Sequence, residues 1–186
     1  VQEYVTLVDE NDNVVGTAEK IDAHRNPKLH RAFSIFIANS KGELLIQQRA
    51  WEKYHSPGMW ANTCCGHPRP GESLEAAAHR RLQEEMGFDT PMVKAFSFIY
   101  KSEFENGLTE KEYDHVFVGK WDGTPKRNIN EVADYKWIPK DVLKEDIKKN
   151  PEIYTTWFKT AWEILLTNTG DRHNKGILGT PEFPLC

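Results

Sequence analysis

Between Ser73 and Gly87 the chain places Leu74, Ala77, Ala78, Leu82 and Met86 at steps of three and four residues. That is the spacing of one helix face, with Ser73 positioned to cap its start and Gly87 to end it in the left-handed conformation. Around it the apolar period changes to two. The runs "YVTLVD" (4–9) and "NVVGTAE" (13–19) predict strands joined by a turn at Glu10 to Asn13, and "LHRAFSIFIA" (29–38) and "ELLIQQR" (43–49) predict a second hairpin across "NSKG". Later, "AFSFIYKSEF" and "LTEKEYDHVFVGKW" flank the turn signal "ENG", and "DYKWI" offers one more strand before Pro139. A second helix is expected over 151–168, opened by Asn150-Pro151 and carrying Tyr154, Trp157, Phe158, Ala161, Trp162 and Leu165 on one side. A one-faced helix must bury that face, and half-buried strands supply the partner surface. The expected class is therefore α/β (α+β): a mixed sheet packed by helices, with an N-terminal β-hairpin and C-terminal helices.

Length and charge narrow what such a fold does. With 186 residues and no fixed-period repeat, one domain over 1–168 is expected, followed at 169–186 by a tail rich in Gly, Pro and polar residues. A formal charge of −4 removes the usual footprint of a nucleic-acid binder. No apolar run approaches a bilayer span, and the first residues are acidic and alternating rather than basic and then apolar, so a soluble, cytoplasmic protein is expected, with no membrane partner. Three cysteines, two of them adjacent, cannot build a disulfide framework. The composition does not set the oligomeric state and is compatible with a monomer.

The segment "WANTCCGHPRPGES" in front of the first helix concentrates reactive side chains. In an extended segment Cys64 and Cys65 point to opposite sides, and His67 shares the side of Cys65. Further on, Glu110 and Glu112 sit two apart on a predicted strand and share a face. Taken singly, each has an ordinary reading: a buried inert thiol, a surface histidine, a solvated pair of carboxylates. Counting from Gly66, five residues precede Glu72 and seven more precede Arg80, after which the helix reads "RRLQEEMGF". This resembles the Nudix box, whose clustered carboxylates hold magnesium against a diphosphate. Arg81 stands where the box has a glutamate, a metal-binding anion replaced by a cation, which argues against hydrolysis and for retained diphosphate binding.

"KIDAHRNPKLHRAFS", "QQRAWEK", "NTCCGHPRPGES", "RRLQEEMG", "FIYKSEF" and "LTEKEYDHVF" occur in the order found in type 1, metal-dependent isopentenyl diphosphate isomerases, and the resemblance runs over roughly residues 4–165. It implies a Nudix-like domain that interconverts isopentenyl and dimethylallyl diphosphate in isoprenoid biosynthesis. By that resemblance His24, His30, His67, Glu110 and Glu112 are metal ligands, and Cys65 and Glu112, with Tyr100, are the catalytic groups. Glu85 holds Mg2+ together with the diphosphate, Lys20, Arg49, Lys53 and Arg81 bind that diphosphate, and Trp157 faces the hydrocarbon end. The second ion, at the His/Glu set, is Mn2+, Zn2+ or Mg2+.

Moving an unactivated double bond requires a proton added at one carbon and removed from a neighbour, through a species resembling a tertiary carbocation. A donor and an acceptor must flank the skeleton, and an aromatic face can stabilise the cation in a dry pocket. No redox cofactor, flavin included, is called for. Two other readings stand beside this one: a Nudix pyrophosphohydrolase, opposed by Arg81 and without a use for Cys65, and a non-catalytic module that binds metal and diphosphate.

Overall fold

The strand His30–Ala38 (β3) is the axis of the computed structural model, which describes residues 3–170. On one edge it pairs in parallel with Thr109–Lys120 (β8), from His30 opposite Glu112 to Ala38 opposite Lys120. Its other edge meets three partners in turn: Tyr4–Val8 (β1) at His30, Cys64–Gly66 (β6) at Phe33 to Ile35, and Glu43–Arg49 (β4) at Ala38. The sheet is completed by Val14–Glu19 (β2) beside β1, Met92–Glu103 (β7) beside β8, and Trp60–Ala61 (β5) and Val132–Pro139 (β9) beside β4.

Alternation along β3 sorts the core into two layers. Phe33, Ile35 and Ile37 pack with Ala77, Ala78, Leu82 and Met86 of the helix Leu74–Met86 (α2). Phe36 faces the other way and joins Val116, Trp157, Phe158, Ala161 and Trp162 under the helix Thr156–Gly170 (α4). A sheet covered on both faces by helices is the expected α/β arrangement. Helix α2 begins and ends where its sequence indicates: Ser73 accepts a hydrogen bond from the Ala76 amide, and Gly87 takes φ 73°.

Several elements depart from the sequence reading. The expected hairpin over 29–49 makes its turn, with the Asn39 amide donating to the Glu43 carbonyl, yet the two strands share one bridge, Ala38 to Leu44. They diverge because β6 takes the edge of β3, while β4 spends its length on β9, from Glu43 opposite Pro139 to Arg49 opposite Val132. The helix expected from 151 starts at Thr156, since Pro151–Ile153 form a 3-10 turn and the Thr155 amide donates to the Trp60 carbonyl. Two helices, Lys20–Arg25 (α1) and Lys140–Lys149 (α3), lie where no helix was expected. Among the described residues no helix is long and apolar enough to cross a membrane. Beyond Gly170 the expected tail lies outside the described residues.

Candidate active site

A cavity of about 970 Å3 opens beside the first half of β3. Every candidate from the sequence lines it except His24 and His30, which sit fully buried behind the wall formed by Glu110 and Glu112. Since β6 and β8 pair with the same residues of β3, they occupy its opposite edges, and Cys65 and Glu112 reach the cavity from two sides.

The imidazoles are held in one tautomer by the backbone. His24 Nδ1 lies 2.6 Å from the Lys20 carbonyl and His30 Nδ1 lies 2.8 Å from the Lys28 carbonyl, so both Nδ1 atoms carry the proton. Their Nε2 lone pairs are buried and have no hydrogen-bond partner. They point at carboxylates: His24 Nε2 is 3.7 Å from Glu110 and His30 Nε2 is 3.5 Å from Glu112. With His67, 2.8 Å from Glu112, these donor atoms all fall within 4.8 Å of one another. Unpartnered buried lone pairs converging with a carboxylate are what a divalent cation requires, so the residues present fit the metal. Glu110 stands with a different pair, since His24 and His55 form the group around it.

Tyr100 bridges the two carboxylates, its hydroxyl 2.8 Å from Glu110 and 2.6 Å from Glu112. Burial opposes the charge of both acids, but His24 and His55 at Glu110, and His30 and His67 at Glu112, outweigh it and hold both well below the usual carboxylate range. Burial likewise pushes His67 down to about 4. At His24, burial works against the charged ring, yet Glu110 and the Lys20 carbonyl prevail and raise it.

Cys65 is half-buried and Cys64 lies in the core beneath α2. The Cys65 thiol donates to Asn62 Oδ1 at 3.1 Å and lies 3.6 Å from Ser34 Oγ, which itself donates to Asp114 at 2.7 Å. Burial, followed by the charge of Asp114, pushes the thiol up, so Cys65 keeps its proton at neutral pH. Asn62 is fixed for this by donating its amide to the carbonyls of Ile35 and Cys64.

At the other end the cations meet acids. Arg81 pairs with Glu85 and with Glu84, Lys53 pairs with Glu131, and Lys20 pairs with Glu3. Glu131 also lies 3.4 Å from Arg81. Glu85 accepts from Gln47 at 2.8 Å. Gly66 makes room for Arg81: a Cβ there would stand 3.1 Å from Arg81 Cγ and 2.8 Å from the Phe33 ring. Arg49 stacks 5.1 Å above Trp157 while donating to the backbone carbonyls of His55 and Ser56, and so joins the polar end to the aromatic wall.

Several contributors escaped the sequence reading. Asp114 continues the alternation of Glu110 and Glu112, a signal that was available. Ser34, Gln47, Glu131 and His55 reach the site through contacts distant in sequence, and no local pattern marks them, whereas Asn62 lies three residues before Cys65 within the segment already singled out.

Residues 28–158 match the family model of the NUDIX domain. The chain is 56% identical over 159 residues to isopentenyl-diphosphate Delta-isomerase 2 of Photorhabdus laumondii, covering 86% of this chain and 90% of that protein. It is 46% identical over 172 residues to isopentenyl-diphosphate Delta-isomerase of Serratia proteamaculans, covering 92% and 96%. Among solved structures, a Deinococcus radiodurans protein superposes with a TM-score of 0.70 at 24% identity, covering 87% of this chain and 98% of that one, a likeness of fold.

Proposed function

This chain belongs to the type 1 isopentenyl-diphosphate Delta-isomerase family of the Nudix superfamily, which interconverts isopentenyl and dimethylallyl diphosphate, and we propose that Cys65 and Glu112 are its two proton-carrying groups. The isomerase activity rests on identities of 46–56% over most of the chain. The assignment of residues rests on one observation: Cys65 and Glu112 enter a single cavity from opposite edges of β3.

Proton addition and removal need a group that holds its proton and a group that has given one up. Cys65 meets the first condition, with its thiol kept protonated by burial. Glu112 meets the second, with its carboxylate held by His30 and His67 and touched by the Tyr100 hydroxyl. Trp157 closes the aromatic wall and, with Arg49 already over one face, offers its quadrupole to positive charge developing on the skeleton. Arg81, Lys53, Lys20 and Arg49 grip the diphosphate, and anchoring that inert end orients the reacting carbons.

Two cation sites accompany this reading. His24, His30, His67 and Glu112, with Glu110 beside them, would hold a divalent ion, and imidazole-rich ligation favours Zn2+ or Mn2+ over Mg2+. When bound, such an ion supplies positive charge that tunes the acidity of the Glu112 carboxyl. Glu85, a buried carboxylate on the cavity wall, would hold Mg2+ as an oxygen donor, and the ion would supply positive charge to the diphosphate. The free thiols of Cys64 and Cys65 accord with a cytoplasmic location.

Deuterium tests the pair of proton carriers. In deuterated water the parent places label in the allylic product, while Cys65→Ala and Glu112→Gln lose isomerisation by at least about 1000-fold and Cys64→Ala stays close to the parent. Parental turnover and labelling in either of the first two variants removes that residue from the relay.

A further inference from the structure

His55 belongs to no motif, yet it is 5% exposed and stands at the junction of the polar and aromatic parts of the cavity. Its Nε2 lies 3.0 Å from Glu110 Oε1, while the other oxygen of Glu110 accepts from Tyr100 at 2.8 Å. Its Nδ1 faces the Ser56 hydroxyl at 3.4 Å. A carboxylate oxygen can only accept, so Nε2 is the donor to Glu110 and Nδ1 is left to accept from the hydroxyl. Three aromatic side chains fix the plane of the ring. Phe104 stacks on it at 4.6 Å and 14°, and Tyr54 and Trp157 meet it edge-on at 4.5 Å and 5.7 Å. The same residue's carbonyl accepts from Arg49, the cation that covers Trp157.

We propose that His55 is a positioning residue for the metal centre: it holds Glu110 by one oxygen, against the grip of Tyr100 on the other, so that the carboxylate is oriented toward His24 before any ion arrives. This rests on the reading of Glu110 as a metal ligand. Carboxylates that bind metals are themselves oriented by hydrogen bonds, and losing such a partner costs metal affinity without removing a ligand. His55 does this through a bond to Glu110 and not as a ligand: its Nε2 is turned to that carboxylate, and it stands outside the group of His24, His30, His67 and Glu112. Its ring also ties the orientation of Glu110 to the placement of Trp157, so the metal centre and the hydrocarbon wall share one support.

The test uses zinc alone, titrated into the metal-stripped full chain against a competing chelator. His55→Phe keeps a flat ring between Phe104 and Trp157 but loses the donor, and its zinc affinity falls by roughly 10- to 100-fold. His55→Gln restores an N–H near the position of Nε2 and stays close to the parent. Parental affinity in His55→Phe overturns the proposal, as does a Gln variant as weak as the Phe variant, which would assign the effect to packing. Glu110→Gln separates the two levels: weakened binding there with parental binding in His55→Phe removes the role of His55 only, whereas parental binding in Glu110→Gln removes Glu110 as a ligand and the proposal with it. Nitrogen-15 NMR of the unaltered, zinc-loaded chain decides the matter without a variant, including the case where His55→Phe does not fold. A proton bonded to His55 Nε2 is the expected result, and a bare, metal-shifted nitrogen would make His55 a ligand and overturn the proposal.

Discussion

Glu131 carries a charge of the same sign as the diphosphate that its neighbours Lys53 and Arg81 are proposed to bind. It pairs with Lys53 and approaches Arg81 at 3.4 Å, and those two cations hold its carboxyl below the usual range against the effect of burial. An incoming diphosphate must take these cations from it. Glu131→Gln is therefore expected to bind inorganic pyrophosphate more tightly, by about 1 kcal/mol for a partly exposed pair, or a factor of about five in Kd. Calorimetry without magnesium isolates this effect, and weaker binding would show that Glu131 holds the cations in position. The site was legible in the sequence wherever its residues fell into short runs with chemical meaning, as at "CCGH" and "EKE". Glu131 and His55 were not, because their significance lies in which distant side chains they meet, Lys53 for one and Glu110 for the other.

At the scale of elements, α2 depends on a clamp at its entry. Glu72 accepts from Arg80 Nε and Nη2 at 2.7 and 2.8 Å and from the Arg69 amide at 2.8 Å, which ties the loop to the second turn of the helix. The Arg80 hydrogen bond holds the Glu72 carboxyl below its ordinary value of 4.5, so the folded chain binds fewer protons there than the unfolded chain. The resulting stability is complete above that value and is lost as pH falls through the depressed one. Glu72→Gln should thus cost roughly 1 kcal/mol near neutral pH, and calorimetric melts should show its gap to the parent closing as the pH is lowered below 4.5. A gap independent of pH would mean that the charge of Glu72 is not what stabilises the loop. The helix itself was readable because apolar period, cap and terminator agree within fifteen residues. The pairing of β4 was not: its ladder to β9 is set by which strand fills the neighbouring edge, and α1 is too short to show a period.

On the scale of the whole molecule, the N-terminal hairpin is a lobe at the end of the sheet, joined to β3 at His30 and pinned at its tip. Asp12, at φ 63°, accepts from Arg31 through its carboxylate at 2.7 Å and its carbonyl at 2.6 Å, and lies 3.0 Å from His115 on β8. Val5, Ala18 and Ala23 give this lobe a small core of its own, and α1, at its end, delivers Lys20 and His24 to the site. Asp12→Gly tolerates the backbone angle but removes the carboxylate. Hydrogen exchange should then speed up across 4–25 while α2 keeps its protection, and zinc retention should fall along with it. Unchanged exchange in 4–25 would show that the tip needs no pin. The parallel ladder between β3 and β8 has a consequence for synthesis. A ribosome releases His24 and His30 seconds before it releases Glu112, at roughly 5–20 residues per second. During that interval β1 and β6 are available to one edge of β3, while Glu110 and Glu112 on the other are still missing. With the ligand set proposed above, metal capture waits for β8, and a product truncated ahead of β8 should bind zinc more weakly than the full chain.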